Sequence, residues 1–146
     1  MSDETHVYKT SLAWTSQRMG TLRSPGLPDV VVATPPQFPG GHEGIWSPEH
    51  LFVASAEVCL MTTFLAIAAN SKLEFATYSS EAEGTLEKTS EGYRITEITI
   101  HPRVSIADTS AEDRTRRIIE KAEKHCLISN SMLSTIKVIP EVSVFA

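Results

Sequence analysis

The chain has 146 residues, 41% hydrophobic and 21% charged, with a formal net charge of -5. That length suits one core, so a single domain over 1–146 is expected, and the ordinary composition excludes disorder, collagen-like repeats and low-complexity tracts. The cations are scattered on an acidic chain and offer no basic field to a phosphate backbone, so nucleic acid is not an expected partner.

The first ten residues, MSDETHVYKT, are polar and acidic, without the basic and apolar regions of a secretory signal. A cytoplasmic protein is expected. The runs HVYKTSLAW, MGTLRS and DVVVAT then read as short strands, with SPGLPD as a turn, which predicts an N-terminal meander. TPPQFPGGHEG, at 34–44, is a long Pro/Gly-rich loop.

Ser47 is a good helix N-cap, and Pro48 sits where proline is best tolerated, at the first helical position. A capping box would want an acid at the third helical position, which is His50, so Glu49 is left free to pair elsewhere. Apolar or small residues recur at Leu51, Ser55, Val58, Thr62, Leu65 and Ala69, and again at Phe52, Ala56, Cys59, Thr63 and Ala66. This spread around the cylinder predicts a central, largely buried helix. Glu57 and several small polar residues interrupt the run, so no membrane span is expected.

EFATYSSEAEGTLEK and YRITEITIHPRVSI, joined by TSEG, predict a hairpin. SAEDRTRRIIEKAEKHC starts with a cap-like Ser110 and acids, carries cations later, and holds Ile118, Ile119 and Ala122 as a buried stripe leading to Cys126. SNSMLSTI suits a further helical turn, and KVIPEVSVFA a closing strand. The order βββ-α-ββ-α-(α)-β, with strands in runs, predicts an α+β fold.

Two cysteines, Cys59 and Cys126, stand far apart and fit no zinc spacing, and the five histidines form no ligand pair, so neither a metal nor a cofactor is expected. From the helix pattern alone both thiols read as core residues, and Cys126, at a helix C-terminus, as one whose pKa is raised. A reactive thiol needs a nearby cation. Arg18, in TSQRMGTL, is the first choice, Arg23 in the same segment the second, and an ordinary solvated surface position the plain reading of both.

Taken together, Arg18, PPQFPGGHEGIWSPEHLFVASAEVCL and AEKHCLISNS resemble the OsmC/Ohr family, the osmotically inducible and organic-hydroperoxide-resistance proteins. The likeness spans nearly the whole chain. Its specific parts are the P-E-x-L-F helix start, a cysteine ten residues after the Glu, and a late C-x-x-S-N. The resemblance implies an intertwined homodimer with antiparallel sheets around a long central helix, acting as a cofactor-free thiol peroxidase. Cys59 would be the peroxidatic thiol, Cys126 the resolving thiol, Arg18 the cation favouring the thiolate, and Glu49 the acid that pairs with and orients Arg18. The implied partners are an organic hydroperoxide and an external dithiol, a lipoylated protein or small thiol. Glu49 lies ten residues before Cys59, about 15 Å along a helix axis, which predicts that Arg18 and Glu49 of one subunit serve Cys59 of the other.

The chain also departs from the pattern. Leu127 follows the second cysteine where peroxidase members commonly have proline, and His42 and Glu43 interrupt the loop glycines. These point to a broader OsmC-like branch and keep an alternative in play: a dimer without peroxidase activity that binds a small apolar or electrophilic ligand near Cys59. Phe52, Leu60, Met61, Phe64, Leu127 and Met132 read either as the lining of an apolar pocket or as plain core.

Overall fold

A computed structural model describes residues 4–145, and the chain divides into two compact units, Met1–Leu51 and Phe52–Ala146. In the first, β1 (Ser11–Ser16), β2 (Met19–Arg23) and β3 (Val30–Ala33) form the expected antiparallel meander in the order β1-β2-β3. The first strand begins at Ser11 rather than at His6, and every residue of it is exposed. Between β1 and β2 the chain reverses through Gln17, held at φ 50 with its carbonyl accepting the Trp14 indole N–H at 2.9 Å. Arg18 follows directly.

The loop after β3 is a series of tight turns. Phe38 donates its N–H to the Pro35 carbonyl, Gly41 to that of Phe38 and His42 to that of Thr34. Gly41 is required sterically, because a Cβ there would lie 1.9 Å from the Pro35 carbonyl oxygen. Helix α1 (Pro48–Asn70) then starts at Ser47. The His50 N–H donates to Ser47 Oγ at 3.1 Å and the Ser47 N–H to His50 Nδ1 at 3.2 Å, so an imidazole closes the capping box that an acid usually closes.

The second unit is a mixed sheet with helices on one face. β4 (Thr77–Thr89) and β5 (Gly92–Ile106) are the expected hairpin, turning at Gly92 with φ 102. A short 3-10 turn (Thr109–Ala111) leads into α2 (Glu112–His125) and the four-residue α3 (Leu127–Asn130). The expected single closing strand is two, β6 (Thr135–Val138) and β7 (Glu141–Val144), both parallel to β5. These two parallel pairings add to the expected antiparallel ones, and the cause is the crossover: α2 and α3 carry the chain back, as a parallel pairing requires. Proline explains the break. Ile100 faces Val138 and Arg103 faces Glu141, so Pro140 falls opposite Pro102, where neither has an N–H for the ladder.

Along β5 the residues Ile98, Ile100, Pro102, Val104 and Ile106 all point to the buried face, while Glu97, Arg103 and their partners Lys137, Glu81 and Glu141 make ion pairs on the other. Ala56, Leu60, Phe64 and Ala68 of α1 and Ile118, Ile119 and Ala122 of α2 complete this core. At Gly84 of β4 the helix comes so close that an added Cβ would meet Val53 Cγ2 at 2.3 Å. The opposite stripe of α1, Val58, Thr62, Leu65 and Ala69, is exposed, Val58 by 54%. The helix is therefore buried on one face only, not largely buried as its pattern suggests. By length and composition alone α1 is apolar enough to cross a membrane, despite its polar interruptions, but its Ala56–Ala68 stripe is packed as a core helix.

Candidate thiol site

The fold brings together the two cysteines that the sequence separates. Cys59, in the middle of α1, is 8% exposed and Cys126 is 1% exposed; both are free thiols. Cys126 ends α2 and caps α3 in an extended conformation (φ -71, ψ 105). That bend presents its own thiol and the next two amides to Cys59.

Burial alone pushes the Cys59 thiol up. Hydrogen bonds from the backbone N–H of Ile128, the Cys126 thiol, the Thr63 hydroxyl and the backbone N–H of Leu127 outweigh it, and the net shift is downward. Thr63 Oγ1 lies 3.9 Å from the Cys59 sulfur, one turn further along α1. Cys126 is shifted the other way. Burial raises it, the neighbouring Cys59 adds to this, and Ser129, whose hydroxyl donates to the Cys126 sulfur at 3.4 Å, opposes without prevailing. The raised value read for Cys126 from its place at a helix end thus holds in direction, with burial as the main cause. Of two neighbouring thiols, Cys59 is poised to ionise first while Cys126 stays protonated and donates to it. A thiolate is the nucleophilic form, so this asymmetry assigns different chemistry to the two sulfurs.

The other two expected site residues meet in the first unit. Arg18 and Glu49 line one cavity of about 480 Å³, with Thr34, Pro35, Phe38, Pro39 and Pro48. Arg18 rests on Gly40, where φ is 77 and a Cβ would come within 3.2 Å of Arg18 Cγ and 3.3 Å of its Nε. Glycine is needed there both for the backbone and for the arginine. Among the described residues no ion pair joins Arg18 to Glu49, and Glu49 Oε1 is buried without a hydrogen-bond partner, so the expected pairing is not formed. Arg23 is committed elsewhere, to Asp29 at 3.0 Å on the surface.

The apolar residues considered for a pocket divide between core and surface. Leu60 and Phe64 are fully buried in the core, Met132 packs against it, and Phe52 and Leu127 are exposed, the latter by 67%. Among the described residues, no three His, Cys, Asp or Glu side chains gather as a metal-ligand set. Sequence reasoning missed Thr63, Ser129 and the two amides. Thr63 and Ser129 stand four and three residues after a cysteine, the spacing at which helical neighbours meet, and that was the available signal. It also missed a polar group on the helix-facing side of β4: Ser80 donates to Glu57 of α1 at 2.6 Å, and the Tyr78 hydroxyl is buried without a partner.

Comparison with known proteins gives a consistent result. The structure is similar to an OsmC-like protein of unknown function from Vibrio cholerae O1 biovar eltor, 24% identical, with a TM-score of 0.85 over 93% of this chain and 99% of that one. It is also similar to an organic hydroperoxide resistance protein from Legionella pneumophila, 25% identical, with a TM-score of 0.69 over 96% and 100% of the two chains. The organic hydroperoxide resistance protein OhrB of Bacillus subtilis matches at 19% identity and a TM-score of 0.69 over 94% and 98%. No curated protein sequence matches the chain. The model of the OsmC-like protein family matches residues 40–141, more than half of the sequence, and the chain belongs to that family.

Proposed function

We propose that the chain is a thiol-dependent peroxidase that reduces organic hydroperoxides. The observation that carries this reading is the pair of buried, neighbouring free thiols, Cys59 pushed down in pKa and Cys126 pushed up. The Cys59 thiolate attacks the terminal peroxide oxygen. The O–O bond breaks, the alkoxide takes up a proton and leaves as alcohol, and Cys59 becomes a sulfenic acid. Cys126 then forms the S–S bond as the sulfenic S–O bond breaks, and its proton leaves with the hydroxyl as water. An external dithiol, a lipoylated protein or small thiol, reduces the disulfide by exchange.

In this reading Arg18, which shares its cavity with Glu49, supplies the positive charge to Cys59 of the partner subunit in a homodimer. The exposed apolar stripe of α1, Val58 to Ala69, supports a second copy as the covering surface. The chemistry calls on no resident metal or organic cofactor, and we place it in the cytoplasm. Cumene hydroperoxide and reduced lipoamide, followed by peroxide consumption, test the reading. Repeated turnover is expected. Slow modification of a single thiol without turnover would overturn it in favour of an OsmC-like dimer that binds an electrophilic or apolar ligand beside Cys59.

A further inference from the structure

The segment that leads into α1 is tied down on both sides of its corner. The Ala33 N–H of β3 donates to the Trp46 carbonyl at 2.9 Å, and the Leu51 N–H to the Ser47 carbonyl at 3.0 Å. Ser47, at the corner, is fully buried, whereas His50, which closes its capping box, is exposed. His50 Nδ1 lies 2.7 Å from Ser47 Oγ and accepts the Ser47 N–H at 3.2 Å. An accepting Nδ1 carries no hydrogen, so the ring that closes this box is the neutral one, with its hydrogen on Nε2. A glutamate or glutamine in the same place keeps its acceptor in mild acid; an imidazole does not.

We propose that His50 makes the start of α1 a pH-sensitive corner, closed while the imidazole is neutral and loosened when a proton from solvent takes Nδ1. Three changes follow from that one proton. Nδ1 turns from acceptor to donor, the buried Ser47 N–H loses its partner, and a positive charge is placed at the helix end where the dipole is itself positive. The new Nδ1–H still reaches Ser47 Oγ but leaves the N–H unpaired. The cavity beside the ring, about 280 Å³, is lined by Gly44, Ile45 and Trp46, whose ring stands 6.1 Å away between centroids, and none of these is charged. Glu43 and Glu49 are the carboxylates of the same segment, and among the described residues neither forms an ion pair with His50. The corner matters because Pro48 and Glu49, between Ser47 and His50, line the Arg18 cavity. Under the peroxidase reading, on which this consequence alone rests, acid loosens that wall and slows turnover.

The test follows amide hydrogen exchange of the full chain between pH 5 and 8, expressed as protection factors so that the intrinsic pH dependence of exchange is removed. The Ser47 and His50 amides are expected to be about fivefold less protected at pH 5 than at pH 8, the scale of losing one helix cap, while Leu60 in the middle of α1 keeps its protection. In His50→Gln, whose side-chain oxygen accepts the Ser47 N–H throughout this range, the difference should vanish. Equal protection at pH 5 and pH 8 in the wild type overturns the proposal, and so does a difference that persists in His50→Gln. Should His50→Gln not fold, His50→Glu takes its place, with the loss of protection displaced below pH 5 to where carboxylates protonate; a loss that stays between pH 5 and 8 contradicts the assignment. A chain without peroxide turnover that shows the pH-dependent protection keeps the corner and loses the proposed function, and turnover with flat protection does the reverse.

Discussion

The thiol pair and the Arg18–Glu49 cavity differ in how complete they are. Each sulfur has donors from its own unit: Thr63 from α1, the amides of Leu127 and Ile128, and Ser129. The cavity holds an exposed arginine and a carboxylate oxygen buried without a partner. The difference separates two tasks: setting which sulfur ionises is local to Phe52–Ala146, and under the proposed reaction the positive charge would come from Arg18 in Met1–Leu51.

That division can be broken or sharpened by substitution. Cys59→Ser should reduce peroxide consumption to background, since no second nucleophile is poised; continued consumption at the wild-type rate would place the chemistry elsewhere. Arg18→Ala should slow the reaction with cumene hydroperoxide by about 10²-fold, the scale of losing one charge-stabilising group. The alkylation midpoint of Cys59 should nevertheless stay below the ordinary thiol value, because its local donors remain. A midpoint that rises to the ordinary value would erase the distinction between the regions.

A smaller effect is expected from Leu127→Pro. Position 127 opens α3, where proline is tolerated, and Cys126 already has the extended backbone that a following proline demands. The side chain is exposed, so the change deletes little besides one N–H donor to Cys59. Cys59 alkylation at neutral pH should slow about threefold, half a pKa unit, with the melting temperature nearly unchanged. The smallest effect concerns Tyr78. Its folded pKa is raised to about 12, so the stability linked to its protonated form is intact below the ordinary value and is lost as pH rises through about 12. Urea unfolding across pH 10 to 12 should show a decline in the wild type that is shallower in Tyr78→Phe.

Much of this was legible in the sequence where local chemistry decides structure. The Ser47–Pro48 start of α1, the β4–β5 hairpin and the acid-to-base gradient of α2 follow from capping, alternation and the helix dipole, and the strand order came out almost whole. The misses are long-range. Nothing in KVIPEVSVFA alone says that Pro140 will face Pro102, so two parallel strands looked like one. The face of α1 carrying Val58 and Leu65 looks as apolar as the face carrying Leu60 and Phe64, and only the sheet decides which is covered. His50 shows a subtler limit, an imidazole doing the work of a glutamate in a capping box. At the site, the motif located both cysteines, whereas the direction of each thiol's shift depends on amides and hydroxyls that the tertiary fold brings near.

The most direct measurement is a peptide mass map under non-reducing conditions after one equivalent of cumene hydroperoxide is added to the fully reduced protein. The account predicts the loss of both thiols within each chain and a single Cys59–Cys126 cross-linked peptide pair, lighter than the two reduced peptides by two hydrogens. Recovery of Cys59 as sulfinic acid with Cys126 still a free thiol would show that the two sulfurs do not join, and would contradict it.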